Sequence, residues 1–275
     1  MALPNLRSLY YYPVKGMTGI ATDAGYPEPT GLRYDRRWML VTPDGRFMSQ
    51  RRFRELVFWD AAVVDTTLVF TDRRDPARAF SVADAFATDG PRIPVTLWDD
   101  HFEATHLDGP AVRRLATALG APDARLVYLG DPQQRPLDPA HAQAGEVTSL
   151  ADTYPYLIVN TASLTAFEQH CGTSLHVTRF RPNLVIDTDE PWAEDRWQHL
   201  QIGAHRFRID KACGRCQVIT IDQRTGEQRL ELLEHLRSLR RRDNRVIFGV
   251  YAVWEGGSEA PLRIGDPVVA ALHPA

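Results

Sequence analysis

The sequence predicts a mainly β protein with a few helices, an α+β fold made of two β-rich units. Three observations predict it. Short runs of apolar and β-branched residues, separated by turn signals, recur along most of the 275 residues. Helical periodicity is confined to three segments. A stretch rich in Pro, Gln, Ala and Asp, Gly130 to Glu146, interrupts the chain and reads as a long loop or inter-domain connection. The length suits one large domain or two modest ones.

The elements follow in order. Leu6 to Tyr12 is apolar and aromatic, and Pro13 ends it. Arg37–Val41 and Arg46–Ser49 flank Pro43-Asp44-Gly45, a hairpin signal. Leu56–Val64, Thr67–Thr71, Ala79–Val82, Pro94–Trp98 and Phe102–His106 are short strands. Asp108-Gly-Pro110 starts a helix with Val112, Leu115 and Leu119 on one face, stopped by Gly120 and Pro122. Arg125–Leu129 is a strand. After the long loop, Tyr156–Val159 is a strand and Ser163–His170 a helix, capped by Thr161 or Ser163 and ended near Gly172. Asn183–Ile186, Leu200–Ile202, His205–Ile209 and Gln217–Asp222 are strands. Leu230, Leu233, Leu236 and Leu239 mark an amphipathic helix, whose trailing arginines, Arg237 to Arg242, complement its dipole or dock a partner. Val246–Trp254 and Pro267–Leu272 close the set.

Composition narrows the function. A formal net charge of −3 offers no global attraction for nucleic acid. No apolar run approaches the roughly 20 residues that span a bilayer, and no signal peptide is expected. Three cysteines cannot close a disulfide framework and fit a reducing cytoplasm. Arginine greatly outnumbers lysine, which suits forked recognition of phosphate or carboxylate.

Two of the three thiols stand in one turn, Lys211-Ala-Cys-Gly-Arg-Cys216, at the root of the strand expected over Gln217–Asp222. Four readings stand. A zinc site lacks a second ligand pair. A thioredoxin-like dithiol belongs at a helix start, not before a strand. Two small buried residues in a turn is the plain structural reading. The fourth is a single thiolate on a soft metal, with Arg215 beside it. Further arginines cluster in Tyr34-Asp-Arg-Arg-Trp38, at Arg51, Arg52 and Arg54, and in Thr178-Arg-Phe-Arg-Pro-Asn183. Beside Gly, Pro and Asn at strand roots, they are placed where loops gather around a ligand. His199, His205 and His235 sit on separate elements, and Tyr10, Tyr11 and Tyr12 read as a strand of mixed burial. No P-loop or dinucleotide fingerprint occurs.

These runs carry a resemblance. Tyr12-Pro-Val-Lys-Gly16, Gly31-Leu-Arg-Tyr-Asp-Arg-Arg-Trp-Met-Leu-Val41, Ala151-Asp-Thr-Tyr-Pro155, Phe180-Arg-Pro-Asn183, Ala212-Cys-Gly-Arg-Cys216, Thr220-Ile-Asp222 with Thr225-Gly226, and Ile264-Gly-Asp-Pro267 recur in order along the chain. The chain resembles the molybdenum-cofactor sulfurase C-terminal (MOSC) domain proteins, and within them the amidoxime-reducing branch. The resemblance implies an N-terminal β-barrel domain over residues 1–122, a β-barrel MOSC domain over 123–275, and a molybdenum–molybdopterin cofactor between them. Cys216 matches the thiolate ligand to the metal and the catalytic position. Lys15, Gly16, Arg36, Thr153, Tyr154, Arg181, Asn183, Gly214 and Arg215 match cofactor-contacting positions. Gly16 stands where the reductases commonly have serine, and Tyr154 where some do. The implied activity is reduction of N-hydroxylated compounds such as hydroxylamines, amidoximes or N-hydroxylated bases. The alternative is a cofactor- or sulfur-carrier module without its own turnover. Some relatives continue into an iron–sulfur domain; with no such cysteine run here, electrons are expected from a separate flavin, iron–sulfur or haem protein.

Overall fold

A computed structural model describes residues 3–273. In chain order its main elements are β1 (Asn5–Tyr11), β2 (Val14–Lys15), β3 (Ile20–Thr22), β4 (Trp38–Val41), β5 (Trp59–Val64), β6 (Thr67–Asp72), β7 (Asp75–Val82), β8 (Arg92–Leu97) and β9 (Asp100–Leu107). Next come α1 (Pro110–Ala118), β10 (Arg125–Tyr128), β11 (Tyr156–Asn160), α2 (Thr161–Cys171), β12 (Leu184–Asp187), β13 (Trp197–Ile202) and β14 (His205–Gly214). The chain ends with α3 (Glu231–Arg240), β15 (Arg245–Gly256) and β16 (Val268–Leu272). Strand dominates, with three α-helices among the described residues, as the α+β expectation requires.

The first unit packs the sheet β8-β9-β10-β4-β2 against the three-stranded β7-β6-β5. Strand β6 buries every second residue, Leu68, Phe70 and Asp72, so one face meets the core. That core holds Trp38, Trp59, Phe70 and Leu126, and α1 adds Val112 and Leu115. Helix α1 opens on Pro110, whose missing N–H is one of the unpaired donors of a first turn, and stops at Gly120 with φ +69°.

The second unit is one large sheet, β16-β13-β14-β15-β11-β12-β1-β3. Val268 N donates to Pro4 O and Leu6 N to Asp266 O, both at 2.9 Å. The sheet therefore curls until β16 meets β1, around Leu6, Ile158, Ile186, Leu200, Phe207 and Val250. Strands β11 and β12 run parallel, linked by the α2 crossover. All of β11 is buried, because the curled core covers one face and α2, α3, Phe180 and Phe248 cover the other.

Hydrogen bonding runs across position 122/123: β10 pairs with β9 and β4 in the first sheet, while β1 pairs with β12 in the second. Pairing partners are a tertiary choice that a four-residue apolar run does not reveal. Several element expectations change. Residues 46–49 form only isolated bridges, Val41 with Phe47 and Arg46 with Thr96. Arg54–Phe58 is a 3₁₀ turn leading into β5. Helix α2 is capped by Asn160, which accepts from Ala162 N at 3.0 Å, while Gly172 ends it at φ +65°. Helix α3 buries Leu232 and Leu236 and leaves Leu230 exposed. Gln217–Thr220 is a 3₁₀ turn, held by Thr220 Oγ1 donating to Gln217 O at 2.7 Å. The cysteine turn therefore follows a strand and precedes a 3₁₀ turn.

Candidate functional site

The chain passes from the second sheet into the first between β1 and β2, through Tyr12 and Pro13. Beside this crossing a cleft encloses about 860 Å³ of space, part of it open to solvent. One wall comes from the first unit, with Lys15, Gly16, Phe47 and Trp98; the other carries Asp152, Arg181, Gly214, Arg215 and Cys216. Five basic side chains and one carboxylate line it: Lys15, Arg36, Arg51, Arg181 and Arg215 against Asp152. That imbalance suits an anion.

The two cysteines are unequal. Cys213 is still in β14 and buried, whereas Cys216 lies beyond it, exposed in the cleft wall. Arg215 N donates to Val246 O at 2.7 Å, the last link to β15 before the chain turns away. Arg215 itself folds inward. Its Nη1 donates to Cys213 Sγ at 2.9 Å and its Nη2 to Phe180 O at 2.7 Å. Its Nε is buried without a partner. Cys216 Sγ makes no hydrogen bond to a described residue, so the outer thiol is available and the inner one is packed.

Tyr12 organises the basic end. Its buried ring lies between two guanidinium groups, Arg36 at 4.5 Å and Arg181 at 4.4 Å from the centroid. Arg36 donates to Asp35, to Asn183 Oδ1 and to Arg181 O, both of the latter at 3.3 Å. Arg181 Nη1 donates to Met17 O at 2.7 Å and to Gln223 Oε1 at 3.2 Å. Burial, and Arg36 beside it, push the Arg181 guanidinium down to about 10. Arg36, Trp98 and Arg181 all hold positive φ, +50°, +58° and +55°. Such backbone costs about 1–3 kcal/mol each and concentrates at ligand sites.

Lys15 Nζ pairs with Asp152 Oδ1 at 2.5 Å, and Trp98 Nε1 donates to the same oxygen at 3.0 Å. Burial pushes the Lys15 ammonium down to about 8, against the pull of Asp152. Lys15 and Trp98 hold the Asp152 carboxyl far below its usual range, so it stays ionised although burial opposes this.

Nine of the ten expected site residues line this cleft; Thr153 does not and faces a neighbouring one. Asn183 lines the wall with its amide already used: its Nδ2 donates to Tyr10 O and its Oδ1 accepts from Leu157 N. Both partners belong to the second sheet, and Oδ1 also accepts from Arg36 Nη1 at 3.3 Å, so Asn183 supports the wall. Gly16 has φ +87°, and a Cβ there would stand 3.0 Å from Met48 O, which disfavours a serine. Tyr154 is buried and stacks on Tyr251 at 5.3 Å.

Asp152, Tyr12, Trp98 and Tyr251 were not among the expected site residues. Asp152 and Tyr12 stand inside runs that carried the resemblance, so their position was the available signal. Trp98 and Tyr251 had none, because only folding brings the β8–β9 turn and β15 to the cleft.

The residues fit an anionic metal cofactor on two counts. An unpartnered thiol faces a cleft with excess positive charge, and Arg215 Nε in its wall is buried without a partner. Among the described residues no group of three His, Cys, Asp or Glu side chains converges to hold a metal by itself.

Residues 3–122 match the family described as MOSC N-terminal beta barrel domain, and residues 145–269 match the MOSC domain. A Molybdenum cofactor sulfurase from Drosophila grimshawi is 29% identical over 96% of this chain and 34% of its own length. One from Drosophila pseudoobscura pseudoobscura is 30% identical over 97% of this chain and 35% of its own. Mitochondrial amidoxime-reducing component 1 from Mus musculus is 27% identical over 94% of this chain and 80% of its own. The chain spans about a third of the sulfurases it matches.

Proposed function

The chain belongs to the MOSC-domain proteins, with a MOSC N-terminal beta barrel domain ahead of the MOSC domain, and from that premise we propose a molybdenum-cofactor-dependent oxidoreductase. Its substrates are N-hydroxylated compounds, reduced to amines. The reaction consumes two electrons and two protons for each N–OH group and releases water; a separate donor protein supplies the electrons. A bound molybdenum–pterin centre would supply the oxygen-abstracting chemistry.

The observation that carries this reading is Cys216: an exposed thiol without a hydrogen bond, in a cleft lined by five cations and one carboxylate. Cys216 Sγ would ligate the metal as thiolate. Lys15, Arg36 and Arg181 would face the phosphate of the pterin, and their mutual crowding eases when an anion enters. Gly16, Gly214 and the wall around Tyr154 would leave room for the pterin. Thr153 borders the site from the next cleft, and Asn183 holds Arg36. Burial pushes the Lys15 ammonium down to about 8, so this wall carries less positive charge as pH rises above neutrality.

The test is to purify the protein with cofactor, quantify molybdenum, and assay N-hydroxy reduction with an artificial donor. Cys216→Ala should lose activity and most of the metal, and Cys213→Ala should keep both. A Cys216→Ala protein that retains metal and turnover refutes the assignment.

The cofactor- or sulfur-carrier reading is favoured by one observation: several relatives are named Molybdenum cofactor sulfurase, and the match covers about a third of them. A sulfur adduct on Cys216 by mass spectrometry, with no reductase turnover in metal-loaded protein, would select it.

A further inference from the structure

A second concavity adjoins the first. It encloses about 1440 Å³ of space open to solvent, and Gly214, Arg215 and Tyr251 belong to both walls. Lys211, Arg215, Arg237, Arg241 and Arg245 line it, and no carboxylate does. Elsewhere the arginines are mostly neutralised, as Arg208 is by Glu146 and Asp210, and Arg240 and Arg242 by Asp195. Here, among the described residues, only Arg237 has such a partner, Glu234. Arg241 reaches nothing more than the Asp243 carbonyl, at 3.1 Å. Asp138 and Asp210 lie near enough to Lys211 to act on its charge, without an ion pair to it among the described residues. The charged run Arg237–Arg242 is therefore only partly explained by the helix end and by Asp195.

The placement is specific. Arg241 pairs with Val246 and Arg242 with Arg245, making a hairpin. Val246 O accepts from Arg215 N at 2.7 Å, which clamps that hairpin to the residue before Cys216. The Arg245 Cδ lies 3.9 Å from where a Cβ on Gly214 would stand. Unneutralised guanidinium groups thus sit along one wall that runs to the proposed reaction centre, with the Tyr251 ring between the two clefts. They line a concavity, which suits a compact anion more than a broad macromolecular face.

We infer that the second cleft holds the anionic group of the substrate, and that the preferred substrates are N-hydroxylated compounds bearing a phosphate. The N–OH end lies at Cys216, and the phosphate meets Arg241 and Arg245. A phosphate monoester shares three terminal oxygens between two forked guanidinium groups and carries up to two charges, where a carboxylate has two oxygens and one charge. This inference rests on the reductase reading for the identity of the reacting group, and not for the anion site itself.

Two measurements on cofactor-loaded protein test it. In the first, an aryl amidoxime and the same amidoxime carrying a phosphate ester are compared at low ionic strength. The ester should have a kcat/KM about tenfold higher, the scale of two partly exposed ion pairs. Arg241→Ala/Arg245→Ala should bring the ratio near one, and Arg241→Lys/Arg245→Lys should restore part of it. In the second, phenyl phosphate is titrated and binding followed by calorimetry; the double alanine variant should weaken it about tenfold. Equal kcat/KM for the two amidoximes in the unaltered protein overturns the inference, as does a preference that survives Arg241→Glu/Arg245→Glu. If neither amidoxime is reduced while phenyl phosphate binds through these arginines, the reductase reading falls and the anion site stands. If phenyl phosphate does not bind but an acidic protein does through the same residues, the cleft is a docking surface and the inference is wrong.

Discussion

Replacing Asp35 tests whether the charged brace under the cleft is as tightly coupled as its geometry indicates. Asp35 is 1% exposed, Arg36 9% and Tyr12 fully buried. One carboxylate oxygen accepts from Tyr12 N at 2.7 Å, and the other from Arg36. Asp35→Ala leaves a buried guanidinium without its counter-charge, which costs about 3–5 kcal/mol, and a buried N–H without an acceptor, about 1–3 kcal/mol. Arg36 keeps Asn183 Oδ1 and Arg181 O as acceptors, so the two losses overlap and about 4 kcal/mol is a fair total. For a chain of this size each kcal/mol moves Tm by roughly 2–4 °C, which gives a fall of about 10 °C. Asp35→Asn retains an acceptor for Tyr12 N and should fall about half as far. Asp108 is the control, since its pair with Arg113 is exposed on both sides and Asp108→Ala should move Tm by no more than about 2 °C. Differential scanning calorimetry of the three variants, with and without cofactor, is the assay. An Asp35→Ala protein that melts within about 2 °C of the parent would refute the claim that this brace holds the two units around the cleft.

Three further outcomes are expected. Gly19→Ala places a methyl group in the Tyr12 ring, so it should destabilise by about 1–3 kcal/mol and reduce cofactor retention, measured as molybdenum per protein. Lys15 loses its proton at about 8 in the folded protein against an ordinary 10.5. Its burial penalty is therefore present below pH 8 and is relieved as pH rises from about 8 towards 10.5, while the cleft's attraction for anions weakens over the same rise. Anion binding measured from pH 7 to pH 9.5 should decline, and Lys15→Arg, which stays charged, should flatten the decline. Leu236→Ala should cost about 2–5 kcal/mol and Leu230→Ala less than about 0.5 kcal/mol by denaturant unfolding; equal effects would mean the buried face of α3 is misassigned.

Much of the fold was legible because local physics decided it. The alternation Leu68, Phe70, Asp72 forces a half-buried strand, Pro110 and Gly120 punctuate α1, and Gly172 stops α2 in left-handed backbone. Where two local solutions compete, neighbours chose. Gln217–Thr220 has β-branched residues that suit a strand, but β14 already has β13 and β15 on its two sides. The chain leaves the sheet there, and the Thr220 hydroxyl closes a 3₁₀ turn. The leucines of α3 allow two faces, and packing on Phe180 and Phe248 selected Leu232 and Leu236.

The sequence alone determined that the chain is β-rich, that two thiols share one turn while arginines gather at strand roots, and which family pattern these runs follow. Those properties depend on residue type and short spacing. The tertiary structure gave the two thiols their unequal exposure, Cys213 packed and Cys216 open to the cleft. It also placed one tyrosine ring between Arg36 and Arg181, paired Lys15 with Asp152, and left Arg241 and Arg245 unneutralised beside a second cleft. Each of these pairs residues distant in sequence, or depends on which atoms remain unsatisfied once the strands have paired. Both are properties of the packed molecule, since charge interaction and desolvation act through space.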